Sequence, residues 1–448
     1  MRRCKSVAIL AEMGTGKTLI SIGIAGQLYL QNEIRKLLIV APLSITKVWE
    51  EEFGKFADFD YQIKVLEGST NKKVEALRNL FGNKLQVAVV NYESCWRLEK
   101  EISVWKPDMI ICDESSKIKN PQAKQSKALH RLGARSKHNI ILTGTPVTNN
   151  PLDFFSQYKF LDENIFGGSY YAFRAKYAVM GGYGNYQVVG YKNLQELTEK
   201  AHSIAFRITK KEALDLPEQV STKRYIELEP EARKKYKDLV DKSYTELENG
   251  AVEAPNVLTK LLRLSQLTGG YIKEESCESA EQISTAKMNE LEDIVDECVS
   301  AGKKLVIFAR FIPEIDGIAK MLKEKNIQYA MIRGDVKDRA GEVNKFQNDD
   351  AYKVFIGQLQ TTGMGLTLTA ADTAVFYSLS YNFADYEQAK ARIHRIGQKN
   401  NCTYIHLLVK DSIDVKVMEA LNKKKNIADL VVDNWRSLFG KEKNERAN

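Results

Sequence analysis

Cysteine is scarce: there are six in 448 residues, and none forms a C-x-x-C pair. A disulfide scaffold is thereby excluded, and Cys4, Cys95, Cys112, Cys277, Cys298 and Cys402 read as separate, reduced thiols. Five histidines, none in an H-x3-H pattern, offer no zinc-ligand spacing. With 27 glycines and nine prolines the chain is neither collagen-like nor dominated by linkers. Long apolar runs are also missing. Stretches such as Leu37–Val40 and Met109–Cys112 fall far short of the about 20 residues that a spanning helix needs, so no membrane contact is expected. The basic start Met1–Lys5, followed by Val7–Leu10, imitates a signal peptide. Its apolar stretch is too short and is broken by Glu12, and it reads as a buried strand.

What is present is the balance of a soluble globular chain, 44% hydrophobic and 28% charged, enough to bury several cores. At about 150 residues per domain the length allows two or three domains. Sixty-six Lys and Arg against 58 Asp and Glu leave a net +8, compatible with a polyanionic partner and too mild to name one.

Short aliphatic runs alternate with helical patterns in two regions. Ser6–Leu10, Leu37–Val40, Val87–Val90, Met109–Cys112 and Asn139–Leu142 read as strands of the first, with helices such as Thr18–Leu30 and Gln122–Leu132 between them. Leu305–Phe308, Tyr329–Ile332, Val354–Ile356, Ala374–Tyr377 and Tyr404–Val409 are those of the second, with helices over Glu314–Lys325 and Val336–Asn348. Continuous apolar strands alternating with helices argue for doubly wound α/β domains with parallel sheets. The middle, from about Pro151 to Thr285, has helical periodicity in Glu231–Leu247 and Val257–Leu267, a loop or hairpin at Gly181–Tyr186, and a polar linker at Glu274–Ser284. The duplicated α/β domain is the only repetition. The charged tail from Lys441 reads as frayed, and the Lys423–Lys425 run as a solvated helix end or a DNA contact.

Four motifs carry chemistry. Ala11-Glu12-Met13-Gly14-Thr15-Gly16-Lys17-Thr18 follows a strand and opens a helix, the context of a P-loop, with Ala11 where a glycine is usual. Its glycines let backbone N–H groups approach phosphate oxygens, Lys17 would hold the β- and γ-phosphates, and Thr18 would ligate Mg2+. Asp113-Glu114-Ser115-Ser116 ends an apolar strand; Asp113 would hold Mg2+ and Glu114 would orient and activate the attacking water. Leu142-Thr143-Gly144-Thr145-Pro146 closes another strand, where Thr143 and Thr145 can hydrogen-bond the acidic pair and a neighbouring domain. Gln388–Gln398, QAKARIHRIGQ, places Arg392 and Arg395 three apart, which on a helix puts them on one face, fit to act as fingers on a γ-phosphate.

This ordered set, completed by TTGMGLTLTAAD at Thr361–Asp372, resembles helicase superfamily two and, more narrowly, the Swi/Snf (Snf-two) family of DNA-dependent ATPases. RIHRIGQ is its most specific part. Ala41-Pro42-Leu43 with Trp49, Arg207–Lys211 leading to Leu216-Pro217, and Val306–Phe311 agree, so the resemblance runs from Ser6 to about Val417. The short DESS box is similar to compact phage-encoded members. The resemblance implies two RecA-like lobes with a helical insertion: an ATP-binding lobe at 1–150, insertion and linker at 151–285, a C-terminal helicase lobe at 286–425 and a tail at 426–448. It implies ATP and Mg2+ as cofactors. Nucleotide would be held by Met13–Thr18 with Gly365 and Gln388, in a cleft walled by the P-loop and Asp113-Glu114 on one side and by Arg392 and Arg395 on the other. It also implies movement on double-stranded DNA, with Pro42, Lys47, Arg310 and Thr362 as phosphate contacts. A phage or host replication, recombination or nuclease partner is compatible with it. The expected place is the cytoplasm of a bacterium or phage-infected host, or the nucleus in a eukaryote. Related motors carry an adenine-recognition segment ahead of the P-loop. With the P-loop strand starting at residue 6 that segment is expected to be missing, through truncation, a mis-set start codon or descent from a member without it. Two other readings stay open, a strand-separating helicase or restriction-system motor, and a non-hydrolysing DNA-binding scaffold.

Overall fold

A computed structural model describes residues 5–148, 150–182, 184, 187–248, 254–272, 280–361 and 366–428. Cys4, Cys277, Thr362, Gly365 and the tail from Lys441 lie outside the described residues. Two compact units are present, the first taking in the chain up to Leu214 and the second Asp215–Lys423.

The first unit contains β1 (Ser6–Ala11), β2 (Lys36–Ala41), β3 (Tyr61–Val65), β4 (Leu85–Asn91), β5 (Met109–Asp113), β6 (His138–Thr143), β7 (Ala178–Gly181), β8 (Gln187–Tyr191) and β9 (Ala205–Ile208). Seven of these form one sheet, in the order β3-β4-β2-β5-β6-β1-β9. Every pairing in it is parallel. The continuous apolar runs are explained by burial on both faces, residues alternating between them along each strand. Ile9, Leu37, Ile39, Val87, Ile111 and Leu142 pack with Ile22, Trp49 and Phe53 from the helices Lys17–Leu30 and Thr46–Phe56. Ala8, Leu10, Leu38, Val90, Cys112 and Ile141 pack on the other face, with Leu129 of helix Lys124–Gly133 and Phe154 and Tyr158 of helix Phe154–Leu161. β7 and β8 make a separate antiparallel pair that brackets the Gly/Tyr-rich stretch expected to turn.

The second unit contains β10 (Gln219–Ile226), β11 (Tyr271–Ile272), β12 (Glu281–Gln282), β13 (Leu305–Ala309), β14 (Gln328–Ile332), β15 (Tyr352–Gln358), β16 (Thr373–Phe376) and β17 (Cys402–Val409). Its six-stranded sheet runs β10-β17-β16-β13-β15-β14, again parallel throughout. The middle segment supplies the helices Pro230–Glu248 and Ala254–Thr268 where periodicity placed helices. It also supplies β9 to the first sheet and β10 to the second, two strands that its periodicity does not suggest.

One close approach links a helix end to the site below. A Cβ on Gly133 would lie 2.8 Å from both the backbone oxygen and the ring of Phe160, because helix Lys124–Gly133 packs directly on helix Phe154–Leu161. Helix Phe154–Leu161 also carries Gln157, which is fully buried, so a shift of that helix would disturb it. Gly133→Ala is therefore expected to lower the stability of the first unit by about 1–3 kcal/mol, measured as a shift of the urea midpoint at constant m-value.

Candidate functional site: a phosphate loop beside a buried acidic pair

The chain leaves β1 at Ala11 and enters helix Lys17–Leu30 through Glu12–Gly16. Gly14 and Gly16 both have φ of 85°, a left-handed conformation that glycine adopts without penalty. Gly16 is the helix N-cap, no side chain caps the first turn, and no acidic residue lies within it. The N–H groups at this positive helix end suit an anion. Lys17 Nζ donates to the carbonyls of Ala11 (3.0 Å) and Glu12 (3.2 Å), which holds its ammonium over the loop. The Thr15 hydroxyl donates to the Glu12 carbonyl at 2.7 Å and stiffens the turn. Met13 and Thr18 are partly exposed at the same loop.

The loop is anchored from a direction that the motif alone does not reveal. The Glu12 carboxylate accepts the Lys210 N–H at 2.8 Å and pairs with the Arg207 guanidinium at 3.4 Å, while Glu12 N–H donates to the Ile208 carbonyl at 3.1 Å. Arg207 also donates to the Leu10 carbonyl at 2.8 Å. The Arg207–Lys211 segment is therefore a brace for the P-loop, delivered by β9. Its signal in sequence was one acidic residue inside the loop and one basic segment some 195 positions away, with nothing to pair them.

Asp113 ends β5 two strands over, on the far side of β6. Its Oδ2 accepts the Trp49 indole N–H at 3.0 Å and its Oδ1 the Glu114 N–H at 2.9 Å. Tyr92 donates its hydroxyl to the Asp113 carbonyl at 2.7 Å. Glu114 sits at φ 51°, a left-handed position uncommon for a side-chain-bearing residue, and is buried like Asp113. Burial first, and then the neighbouring Glu114 charge, push the Asp113 carboxyl up to about 7, against the opposing pull of Lys17. Two adjacent buried carboxylates facing one ammonium make a site deficient in positive charge. With the Thr18 hydroxyl nearby in sequence, these hard oxygen donors suit Mg2+, whose charge would relieve that deficit. Ser115 donates its hydroxyl to Gln157 Oε1 at 2.7 Å, and Gln157 in turn donates to the carbonyls of Pro146 and Asp153, both at 2.8 Å. Gln157 thus ties the acidic box to the loop after β6, a role its sequence position did not announce.

Thr143, fully buried at the end of β6, accepts the Thr145 N–H at 3.1 Å. Gly144 lies against the P-loop: a Cβ there would be 3.4 Å from both the Ala11 oxygen and the Met13 nitrogen. Within the first unit the structure therefore gathers Met13–Thr18, Asp113, Glu114, Thr143 and Thr145 at the carboxyl ends of neighbouring strands. Pro42 follows β2 with its side chain buried, and its carbonyl accepts the Ile45 N–H at 3.0 Å. Lys47 is exposed and paired with Glu67 at 3.4 Å.

In the second unit the arginines stand differently from the helical expectation. Helix Phe383–Lys390, which carries a partly exposed Gln388, stops before them, and residues 391–397 form turns. At the helix end Tyr404 donates its hydroxyl to the Lys390 carbonyl at 2.8 Å, and beyond it the Leu368 N–H reaches the Arg392 carbonyl at 3.0 Å. The two guanidiniums still converge, donating to the Leu366 carbonyl at 3.2 Å from Arg392 and 3.1 Å from Arg395. Gln398, the last letter of the motif, is the hub. Its amide donates to the carbonyls of Ala371 (2.8 Å) and Ile393 (3.0 Å) and accepts from Lys399 (2.9 Å) and Asn400 (3.0 Å). Arg310 follows β13 half-buried, its guanidinium 4.9 Å from the Phe311 ring centre. Among the described residues no helix is long and apolar enough to cross a membrane, and Cys95, Cys112, Cys298 and Cys402 are free thiols.

Comparison with known proteins finds two matching domain models and a set of relatives. The SNF2-related domain model matches residues 2–270, and the helicase conserved C-terminal domain model matches residues 286–397. An uncharacterized ATP-dependent helicase of Mycoplasma pneumoniae is 27% identical over 421 residues, covering 93% of this chain and 39% of that protein. The chain thus spans about two fifths of the length of the mycoplasma relatives it matches. Putative protein p41 of Acyrthosiphon pisum secondary endosymbiont phage 1 is 26% identical over 446 residues, covering 95% of this chain and 94% of that protein. A solved structure, the Sulfolobus solfataricus SWI2/SNF2 ATPase core in complex with dsDNA, is similar at 27% identity and a TM-score of 0.42, covering 98% of this chain and 91% of that one. With the family model spanning more than half of its residues, the chain belongs to the SNF2-related domain family.

Proposed function

We propose that the chain is an ATP-driven motor that moves along double-stranded DNA. The observation that carries the reading is the uncapped, glycine-shaped P-loop set beside the buried Asp113-Glu114 pair. Phosphates of ATP occupy the N–H groups of Gly14–Thr18, and Lys17 leaves its loop carbonyls for the β- and γ-phosphates. Thr18 and Asp113 would hold Mg2+, which would supply charge to neutralise the phosphates. Glu114, fixed in its left-handed turn, orients the attacking water and accepts its proton. Arg392 and Arg395, with Gln388 and Gly365, serve the nucleotide as finger arginines and lining residues. Thr143, Gly144 and Thr145, packed on the P-loop, pass the state of the phosphates to the chain that follows β6. Pro42, Lys47, Arg310 and Thr362 meet DNA phosphates; Pro42, Lys47 and Arg310 all follow strand ends, where ligands of open parallel sheets bind.

Phosphate release from ATP, measured with duplex DNA, with single-stranded DNA and without nucleic acid, tests this. Duplex is expected to stimulate most, and Lys17→Ala or Glu114→Gln to reduce the stimulated rate by about 100-fold or more. Equal rates in all three conditions would contradict the reading.

The buried carboxylate makes a second prediction. Asp113 holds its proton to about 7 in the folded chain, whereas an unfolded aspartate releases it near about 4. Between those values the folded state binds the extra proton, so this group's contribution to stability falls as pH rises through the window. Asp113→Asn is expected to be inactive when assayed with ATP and Mg2+, yet in metal-free buffer at pH 8 to be more stable than wild type by about 1–3 kcal/mol. The gain should vanish at pH 4, as read by thermal unfolding.

A further inference from the structure

A second buried carboxylate lies in the second unit, outside the nucleotide residues. Glu314 is fully buried at the third position of helix Ile312–Glu324, directly after the Arg310-Phe311 end of β13. One of its oxygens takes three donors: the Ser378 hydroxyl at 2.5 Å, the Phe311 N–H at 3.1 Å and the Arg310 N–H at 3.2 Å. Ser378 closes the figure by accepting the Arg310 N–H at 2.8 Å. The other oxygen, Oε1, has no hydrogen-bond partner among the described residues. It borders a space of about 10 Å³ lined by Gln266, Tyr271, Ala280, Phe311 and Pro313, which is about one water molecule's worth. It also stands where a Cβ on Gly269 would collide with it.

Helix capping alone needs one or two of these bonds and is ordinarily made at the surface. Here a carboxylate is taken wholly out of water to fix the two residues that follow a sheet strand, and one oxygen is left unmatched. Such a group is costly unless what it orders is needed. We propose that Glu314 is a positioning residue for DNA engagement, its carboxylate locking Arg310, Phe311 and Ser378 into the arrangement that presents the Arg310 side chain. The role rests on the DNA reading above.

The electrostatic surroundings give this lock a pH dependence. Burial pushes the Glu314 carboxyl up to about 7, against the Ser378 hydroxyl, the Phe311 N–H, the Lys287 ammonium and the Arg310 N–H. The other groups facing it are the Arg310 guanidinium and the Tyr271 and Tyr377 hydroxyls, which feel its charge, and Asp316 on its own helix, which acts on Tyr271. Lys287 is itself held by Asp414 at 2.6 Å and donates to the Tyr377 carbonyl at 3.0 Å. The ionised carboxylate therefore accepts strongly above about 7, and the neutral acid only weakly below it.

The full-length chain tests this through ATP hydrolysis titrated with duplex DNA at pH 6 and pH 8. For wild type, the duplex concentration giving half-maximal stimulation should rise about three- to tenfold on going from pH 8 to pH 6, with DNA-free hydrolysis following its own course. Glu314→Gln, a permanent mimic of the neutral acid, should show the pH 6 value at both pH values and leave DNA-free hydrolysis as in wild type. Ser378→Ala, which removes one donor and leaves the carboxylate, should raise the half-maximal concentration while keeping its pH dependence. A Gln variant that tracks wild type at both pH values overturns the role. Should that variant not fold, a Ser378→Ala half-maximal concentration equal to wild type overturns it instead. A wild type that ignores duplex altogether overturns the DNA reading and this role with it, whereas a responsive wild type beside an unaltered Gln variant overturns this role alone.

Discussion

Parallel pairing of β1 with β6, and of β6 with β5, places Leu10 opposite Thr143 and Leu142 opposite Asp113. The three strands consequently stop at one level. Everything chemical in the first unit follows from that register. The P-loop, the Thr143–Thr145 turn and the acidic pair are brought side by side because each begins where a buried strand ends. A slip of one residue in either pairing would turn every side chain to the opposite face of the sheet. The alternating burial of Ala8, Ile9 and Leu10 between two cores forbids it.

Around this register the molecule accepts local disadvantage. Glu114 occupies a left-handed backbone conformation, and Asp113 and Glu114 are both buried. These features destabilise the chain in isolation and persist because the surrounding sheet, Trp49, Tyr92 and the Gln157 amide over-determine them. The same pattern recurs in the second unit, where Glu314 is buried with one unmatched oxygen. In both places a carboxylate kept out of water is the feature on which the proposed role of its neighbours rests.

The sequence was legible where burial was complete. β1, β2, β4, β5 and β6 announce themselves by continuous apolar runs, and P-loop and acidic box follow from their positions after strands. Three strands of the two large sheets escaped: β3, β9 and β10. All three lie at sheet edges, where one flank is solvated and an apolar run is not required. β10 makes the point most clearly, since seven of its eight residues, QVSTKRY, are exposed while its backbone pairs with β17 along the full length. Arg392 and Arg395 were correctly expected to share a direction, but through the wrong local structure. Periodicity reports spacing, and it cannot see the Leu366 carbonyl on which both guanidiniums meet. The Glu12–Arg207 brace was invisible for a related reason, because its partners meet only once β9 has joined β1.

On the proposed reading, hydrolysis at the P-loop and the acidic pair drives movement along duplex DNA. Displacement of a third strand from a triplex tests that coupling most directly, since a motor running along the duplex must dislodge it without opening the duplex itself. The chain with ATP is expected to release the third strand at a rate that vanishes without ATP, and to leave a forked duplex paired. Separation of the forked strands, or a triplex that survives ATP hydrolysis, would contradict it.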